Sequence, residues 1–447
     1  MAWVQILALG LLLASLTGLL LAVFALQGQT PVPSQILLAV GFPADRPLAA
    51  VGASVAMYML MVALLWLIAC KAAPGCDSVL FVAGVALAGF GYLLLVRLSP
   101  DIAAARGREI LAGLAGKQFF FLLLCAPAFL AGLWIARPGP LRRLARRRYW
   151  FAVLAIALVA VTGLFGQSIN GRKLWLPLGP LQFQTIELVK FLVILFAASF
   201  FAERSGAASV PIMIGGRTGL RLHVLGPFVV TASLFVLPVI AQGDLGPALL
   251  VSLFMLVMFH LATGSVLWPL AGFLTIVGAS VGAYAAGWPS MVRTRFDMWL
   301  DPFQASEVLS QSLWAQAGGG LLGVGLGQGW SGRIPIVQSD FNFTAWCEEM
   351  GWIGGVGVMS LYALLAYRGL LIGNAHQNPF KRYLVAGISC MLAIQSLIII
   401  GGNMGLLPLT GITLPFVSYG GSSLMVSFFL LGMLVACSGR ERCAGLA

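Results

Sequence analysis

Apolar runs of about 20 residues, the length a helix needs to cross the hydrocarbon core of a bilayer, recur from one end of this chain to the other. Twelve can be marked out, at residues 3–26, 49–70, 78–97, 118–137, 149–168, 184–203, 223–241, 246–262, 266–287, 345–367, 382–402 and 420–437. Only a short turn separates the run at 223–241 from the one at 246–262. In lipid the backbone must satisfy its own polar groups, and runs of this length do so as helices. Composition leaves no room for another kind of domain. Hydrophobic residues make up 60% of the chain and charged residues 9%, against roughly a quarter charged in soluble domains. The expectation is an all-α polytopic membrane protein with about twelve transmembrane helices.

The formal charge of +12 has a topological rather than a nucleic-acid reading, because the basic residues mostly punctuate the apolar runs. Arg137, Arg142, Arg143, Arg146, Arg147 and Arg148 follow the fourth run. Arg204, Arg217 and Arg221 follow the sixth, and Arg368, Lys381 and Arg382 follow the tenth. Arg440 and Arg442 lie in the tail. With twelve spans all of these fall on one side. The positive-inside rule makes that side the cytoplasm and puts both termini there. The run Met1–Leu26 has no basic start and is read as the first span rather than a cleaved leader. The seven cysteines form no CxxC pair and fall mostly within apolar runs, as expected of reduced, structural thiols.

Two segments depart from this regularity. Between Gly401 and Leu424 the chain reads GGNMGLLPLTGITLPFVSYGGSSL. It is too rich in Gly, Pro, Ser and Thr to continue either neighbouring helix. Irregular backbone near a membrane must be buried in protein or line a watery cavity, so a shaped element belonging to a site is expected there. The second segment is the outer loop 288–344, too long for a simple connection. Its aromatic residues and the Gly-rich run Gly318–Gly329 predict an ordered, functional loop.

With only 14 acidic residues, each can be placed. Glu187, Glu348 and Glu349 fall near the outer starts of apolar runs, within about 10 Å of the surface at 1.5 Å per residue. Asp244 sits in a short turn. Lys190 follows Glu187 by three residues, a spacing that pairs side chains along one helix face. None of these charges is near the midplane, where transporter sites lie. His223, His260 and His376 all fall at cytoplasmic ends, so an outward general base must be a carboxylate. Candidates are Asp45, Asp101, Glu109, Asp297, Asp301, Glu307 and Asp340, with the near-surface set. Asp340 lies in Ser339-Asp340-Phe341-Asn342-Phe343, where flanking aromatics would raise its pKa by desolvation. A helix N-cap is the competing role.

Four separated motifs resemble the SEDS family, the polytopic proteins of cell shape, elongation, division and sporulation that include RodA and FtsW. Gly171-Arg172-Lys173-Leu174-Trp175 with Phe183-Gln184-Thr185-Ile186-Glu187-Leu188-Val189-Lys190 resembles the family's G…RW…FQPSE…K element. Gln242-Gly243-Asp244-Leu245-Gly246-Pro247-Ala248 resembles its QPDLGTA turn. The stretch from Gln311-Ser312-Leu313 through Gly318-Gly319-Gly320 and Ser339–Phe343 to Glu348-Glu349-Met350-Gly351 resembles its QS…GG…TDFIF…EE.G loop. The 401–424 run is similar, almost letter for letter, to its GLLP.TG..LPF.SYGGSS signature. Departures are Thr185-Ile186 for Pro-Ser, Leu174 for the Arg before Trp175, and Asn342 for Ile.

The resemblance implies the family's ten-helix core plus two extra N-terminal helices, with the SEDS-like membrane core at 149–437, the extracytoplasmic loop 288–344 inside it and a cytoplasmic tail at 438–447. Residues 1–148 then hold the first membrane helices, including two beyond the family's usual number. It implies a peptidoglycan glycosyltransferase that polymerises lipid II at the outer face of the bacterial cytoplasmic membrane, beside a class B penicillin-binding transpeptidase. Asp340 aligns with the family's essential Asp as catalytic base. Trp175, Glu187, Lys190, Asp244, Glu348, Glu349, Pro415, Ser418 and Ser422 are motif positions expected to bind substrate. Arg172, Lys173, Arg293, Arg295 and Arg333 are outward cations for the leaving pyrophosphate. A divalent cation, Mg²⁺ or Mn²⁺, would suit that leaving group, although no dedicated cage is visible. A precursor flippase and a catalytically silent scaffold for a transpeptidase are the alternatives.

Overall fold

A computed structural model describes residues 47–106, 113–169, 172–178, 181–208, 212–214, 217–219 and 222–439. Its helices are α1 (Pro47–Ala72), α2 (Ser78–Arg106), α3 (Leu114–Ile135), α4 (Pro138–Ala145), α5 (Arg148–Phe165), α6 (Thr185–Ala208), α7 (Leu222–Ala241), α8 (Leu245–Thr263), α9 (Leu267–Ala286), α10 (Ser290–Leu300), α11 (Pro302–Ala305), α12 (Glu307–Gly319), α13 (Asn342–Ala375), α14 (Pro379–Asn403) and α15 (Gly421–Cys437). The run at 3–26 lies outside the described residues. Each of the other eleven runs has a helix at its place. Eight of the described helices are long and apolar enough to cross a membrane by themselves. A ninth span results if the bent pair α4–α5 is taken as one, and the apolar stretches Gly226–Ala241 and Gly421–Cys437 are shorter.

The protein is predominantly helical and membrane-spanning, but not all of it is α. Gln167–Ile169, Arg172–Leu178 and Leu181–Gln184 form β1, β2 and β3 of a three-stranded antiparallel sheet, with Trp175 opposite both Gln167 and Gln184. Ile212–Ile214 and Arg217–Gly219 form the hairpin β4–β5. This sheet lies between the apolar runs 149–168 and 184–203. Its Asn170-Gly171 dipeptide is a hairpin signal, and this is what separates β1 from β2.

The helices meet where glycine lets backbones approach. A Cβ at Gly432 would collide with the carbonyl of Phe129, and one at Gly132 with that of Phe429, so α3 and α15 touch backbone to backbone. α6 runs through the centre of the bundle. Its Phe196, Phe200 and Phe201 stack edge-on or tilted against Phe228 and Phe235 of α7 and Phe259 of α8. At the other extreme, α9 has no buried residue. No disulfide occurs among the described residues.

The long 288–344 segment is ordered, as expected: α10, α11, α12 and a single 3₁₀ turn at Ser331–Arg333 occupy much of it. It is needed because α13 is not one helix. Gly351 (φ 68°, ψ −175°) breaks it, so Glu348 and Glu349 belong to a short segment before the break and not to an uninterrupted span. A break exposes carbonyls on one side and amides on the other. The Gly-rich loop supplies both partners: Val324 and Gly325 donate to the carbonyls of Glu348 and Glu349 (2.9 and 3.1 Å), and the amides of Trp352 and Ile353 donate to the carbonyls of Gly320 and Leu321 (3.0 and 3.2 Å). A Cβ at Gly351 would strike the Leu321 carbonyl, and one at Gly323 (φ +84°) the Glu349 carbonyl.

Gly351→Ala therefore meets both a left-handed backbone and a backbone collision, and should cost about 1–3 kcal/mol of stability. Gly357→Ala, on the same helix with nothing within 4 Å of its Cβ, should be neutral or stabilising. Thermal unfolding of the two variants in detergent checks the contrast.

Candidate functional site

The run at 401–424 folds as the irregular connection between α14 and α15, and it closes on the residues just before α13. The hydroxyl of Ser418 donates to the Ser339 carbonyl (2.5 Å) and accepts from the Leu414 amide (2.9 Å). The Tyr419 amide donates to the Gln338 carbonyl (2.8 Å). The Asn403 side chain donates to the Asp340 carbonyl (2.9 Å). Asn403 also belongs to a buried network with Ser312 and Gln316 of α12 and Thr344 of α13: Ser312 Oγ and Thr344 Oγ1 lie 2.6 Å apart, and Gln316 Nε2 donates to the Asn403 carbonyl (2.7 Å). Trp299 of α10 donates from Nε1 to the Gly405 carbonyl (2.9 Å), and Tyr362 of α13 donates to the Pro415 carbonyl. Side chains of α10 and α13 thus hold the loop by its carbonyls.

Asp340 sits in this clasp. Its neighbours Phe341 and Phe343 are buried, and Asp340 itself is half-buried. The N-cap of α13 is Phe341 and no side chain caps it, so the capping role does not apply to Asp340. Gly411 (φ +70°) opens the space in front of the carboxylate: a Cβ there would lie 3.6 Å from both Asp340 Oδ2 and a guanidinium nitrogen of Arg295. Burial pushes the Asp340 carboxyl above its ordinary value, and the Ser339 hydroxyl and the Arg295 guanidinium pull it part of the way back. The result is a carboxylate with weakened solvation and a cation across a narrow gap. That arrangement suits proton abstraction next to a developing negative charge.

A second charged group approaches the loop from α6. Glu187 and Lys190 form a buried ion pair at 2.8 Å, as their spacing predicts. Lys190 also donates to Gln395 Oε1 of α14 (2.8 Å), and Gln395 Nε2 donates to the Thr413 carbonyl in the loop (2.7 Å). At the start of α6, Thr185 is hydroxyl-bonded to Thr162 of α5 (2.7 Å) and the Gln184 amide donates to Ser422 Oγ (3.4 Å). Asp244 is buried at the start of α8. That start lies against the loop: a Cβ at Gly246 would be 2.7 Å from the Thr410 carbonyl.

Glu348 and Glu349 serve the Gly-rich loop. Glu348 accepts from the amides of Trp330 and Ser331 (3.0 and 2.8 Å), and Glu349 lies 3.0 Å from Arg97 Nε. Arg97, buried near the end of α2, also pairs with Asp101 and donates to the carbonyls of Gly327 and Gly329 (both 3.0 Å). Sequence reasoning missed Arg97. Its one visible signal is a lone Arg at the close of an apolar run with Asp101 four residues on.

Pro415, Ser418 and Ser422 are buried, with the two serine hydroxyls engaged inside the loop and its neighbours. Trp175 is half-buried and Lys173 exposed on β2, with Lys173 Nζ 3.4 Å from the Leu164 carbonyl. The side chain of Arg172 lies outside the described residues. Arg293 is exposed, 4.0 Å from Asp297, and Arg333 is exposed on the 3₁₀ turn. Of the five cations expected, the structure brings Arg295 to Asp340. Among the described residues no group of three or more His, Cys, Asp or Glu is arranged to hold a metal ion.

Comparison with known proteins gives the family. The model of the FtsW/RodA/SpoVE family, described as cell cycle protein, matches residues 77–442, a wider stretch than the four motifs cover. The peptidoglycan glycosyltransferase RodA of Mycobacterium tuberculosis is 32% identical over 374 residues, spanning 82% of this chain and 78% of that one. The probable peptidoglycan glycosyltransferase FtsW of Thiomicrospira cyclica is 32% identical over 377 residues, spanning 81% and 91%. A chain from a peptidoglycan synthase complex, a structure of coordinated polymerization and crosslinking, superposes with a TM-score of 0.66 at 25% identity, covering 83% of this chain and 99% of that chain. The rod shape determining protein RodA of Thermus thermophilus shares the fold, with a TM-score of 0.57 at 24% identity over 83% of this chain and 98% of that one. The chain belongs to the SEDS family of cell cycle proteins, that of FtsW, RodA and SpoVE.

Proposed function

We propose that this protein is a peptidoglycan glycosyltransferase that polymerises lipid II at the outer face of the bacterial cytoplasmic membrane. The observation that carries the reading is the half-buried Asp340 carboxylate facing Arg295 across Gly411, at the edge of the family's signature loop. In the reaction, the 4-hydroxyl oxygen of the acceptor sugar forms a bond to the anomeric carbon of the donor. Asp340 takes the hydroxyl proton. The bond from the anomeric carbon to the pyrophosphate oxygen breaks, and polyprenyl pyrophosphate leaves with the electron pair. Arg295 offsets the charge that develops there, since a preorganised cation in a water-poor site stabilises a leaving anion more than water does. Lys173, Arg293 and Arg333 are exposed and add to the positive field that the pyrophosphate meets.

The uneven Lys and Arg content of the loops supports an outward-facing 288–344 segment and cytoplasmic termini. A class B penicillin-binding transpeptidase is the proposed partner, supported by the likeness to a chain of a synthase complex that couples polymerization with crosslinking; the two should co-purify from detergent extracts. In a variant without native cysteines, a Cys at Leu322, 80% exposed beside the Gly-rich loop, should react with a membrane-impermeant thiol reagent in intact spheroplasts. A Cys at the exposed Arg143 in α4 should not. The reverse pattern would turn the site to the wrong side of the membrane.

Asp340→Asn preserves shape and removes basicity. Expression and lipid II binding should be normal, while polymer formation by the purified protein falls by at least about 10²-fold, the contribution of a positioned base. A near wild-type rate would take Asp340 out of the reaction.

A further inference from the structure

We propose that Gln395 is a positioning residue, an amide that transmits the fixed geometry of the Glu187–Lys190 pair to the loop in front of Asp340. The inference rests on the glycosyltransferase reading only for its kinetic readout. Gln395 is 2% exposed in the interior of α14, a setting where a polar side chain needs partners at both ends. Its two ends are chemically unlike, and here each is dictated. Lys190 has only donors to offer, so it takes Oε1 (2.8 Å), and Nε2 is left facing the Thr413 carbonyl (2.7 Å). Glu187 holds Lys190 from the other side at 2.8 Å. The chain of bonds from α6 to the loop therefore has one direction.

Thr413 passes the restraint on. Its hydroxyl donates to Ser423 Oγ at the start of α15 (2.8 Å), and the next residue, Leu414, has its amide bonded to Ser418 Oγ (2.9 Å). Ser418 in turn donates to the Ser339 carbonyl beside Asp340 (2.5 Å). Two residues before Thr413, Gly411 lines the gap between Asp340 and Arg295. Fixing the Thr413 carbonyl thus fixes the wall of the site from which Asp340 acts, without Gln395 touching the reacting atoms. A displacement of about 1 Å at such a wall can lower a rate by about 10²-fold.

The competing role for Gln395 is only to satisfy the buried Lys190 ammonium. Two substitutions separate the roles. Gln395→Met keeps the length and removes both bonds. Gln395→Glu keeps an acceptor for Lys190 and, assayed at a pH where its carboxyl is ionised, presents no donor to Thr413. Polymerisation of lipid II and hydrogen exchange in detergent are measured on each, following peptides that cover 403–420 and 185–195. Positioning predicts that both variants lose at least about 10-fold in rate, with exchange accelerated in 403–420. Near wild-type polymerisation by Gln395→Glu, or exchange accelerated only in 185–195, would show that Gln395 serves Lys190 alone and overturn the proposal. If the wild type makes no polymer, the glycosyltransferase reading fails, and exchange in 403–420 still decides: accelerated supports the relay, unchanged refutes it. Exchange and rate are read on each variant separately, so aggregation of one leaves the other to decide.

Discussion

Where a helix breaks inside a membrane protein, the amides and carbonyls it releases have no water to turn to and must be met by other parts of the same chain. Two such breaks govern this structure. At Gly351 the Gly-rich loop closes the gap in α13 with four backbone hydrogen bonds. Between α14 and α15 the irregular run is held through the carbonyls of Gly405, Thr413 and Pro415 by side chains of α10, α14 and α13. The glycines at 323, 351 and 411 are required by these closures, since each has a positive φ; at 323 and 351 a side chain would also meet backbone, and at 411 it would crowd the gap before Asp340. Once both breaks are closed, the segment 336–342 is trapped between them, and Asp340 comes with it.

The charged residues divide by what they hold. Arg97, Glu348 and Glu349 grip the Gly-rich loop from opposite polarities, with Arg97 on carbonyls and Glu348 on amides. Glu187 and Lys190 reach the other loop through Gln395. All of these are buried and engaged within the protein. Asp340 and Arg295, only half-buried, both border the space before Gly411. Supporting charges are thus enclosed, and the pair suited to chemistry keeps access to a substrate.

Much of this was legible before any coordinates. Apolar run length located the helices, because the need to satisfy backbone groups in lipid leaves little alternative. Glu187 and Lys190 pair as their separation of three residues requires, and the family signature marks the loop that faces Asp340. The rest depends on partners distant in sequence. Gly351 reads as one more glycine in a Gly-rich helix, and only the carbonyl of Leu321 makes it a break. Arg97 finds its carbonyl partners 230 and 232 residues away. Gln395 looks like a stray polar residue in an apolar run until α6 and the loop are seen on either side of it. The β1–β3 sheet has one local signal, Asn170-Gly171, which apolar run length does not register.

The central claim is that a carboxylate placed in a partly dehydrated clasp acts as the base. Its most direct test is the pH dependence of the initial rate of lipid II polymerisation, expressed as kcat/KM. A base works only when deprotonated. Burial raises the Asp340 carboxyl above its ordinary 3.8, so activity should be lost, as pH falls, at a pH clearly above that value, and the limb should disappear from the residual rate of Asp340→Asn. A rate that declines only in the ordinary carboxylate range, or an acid limb unchanged in Asp340→Asn, would contradict it.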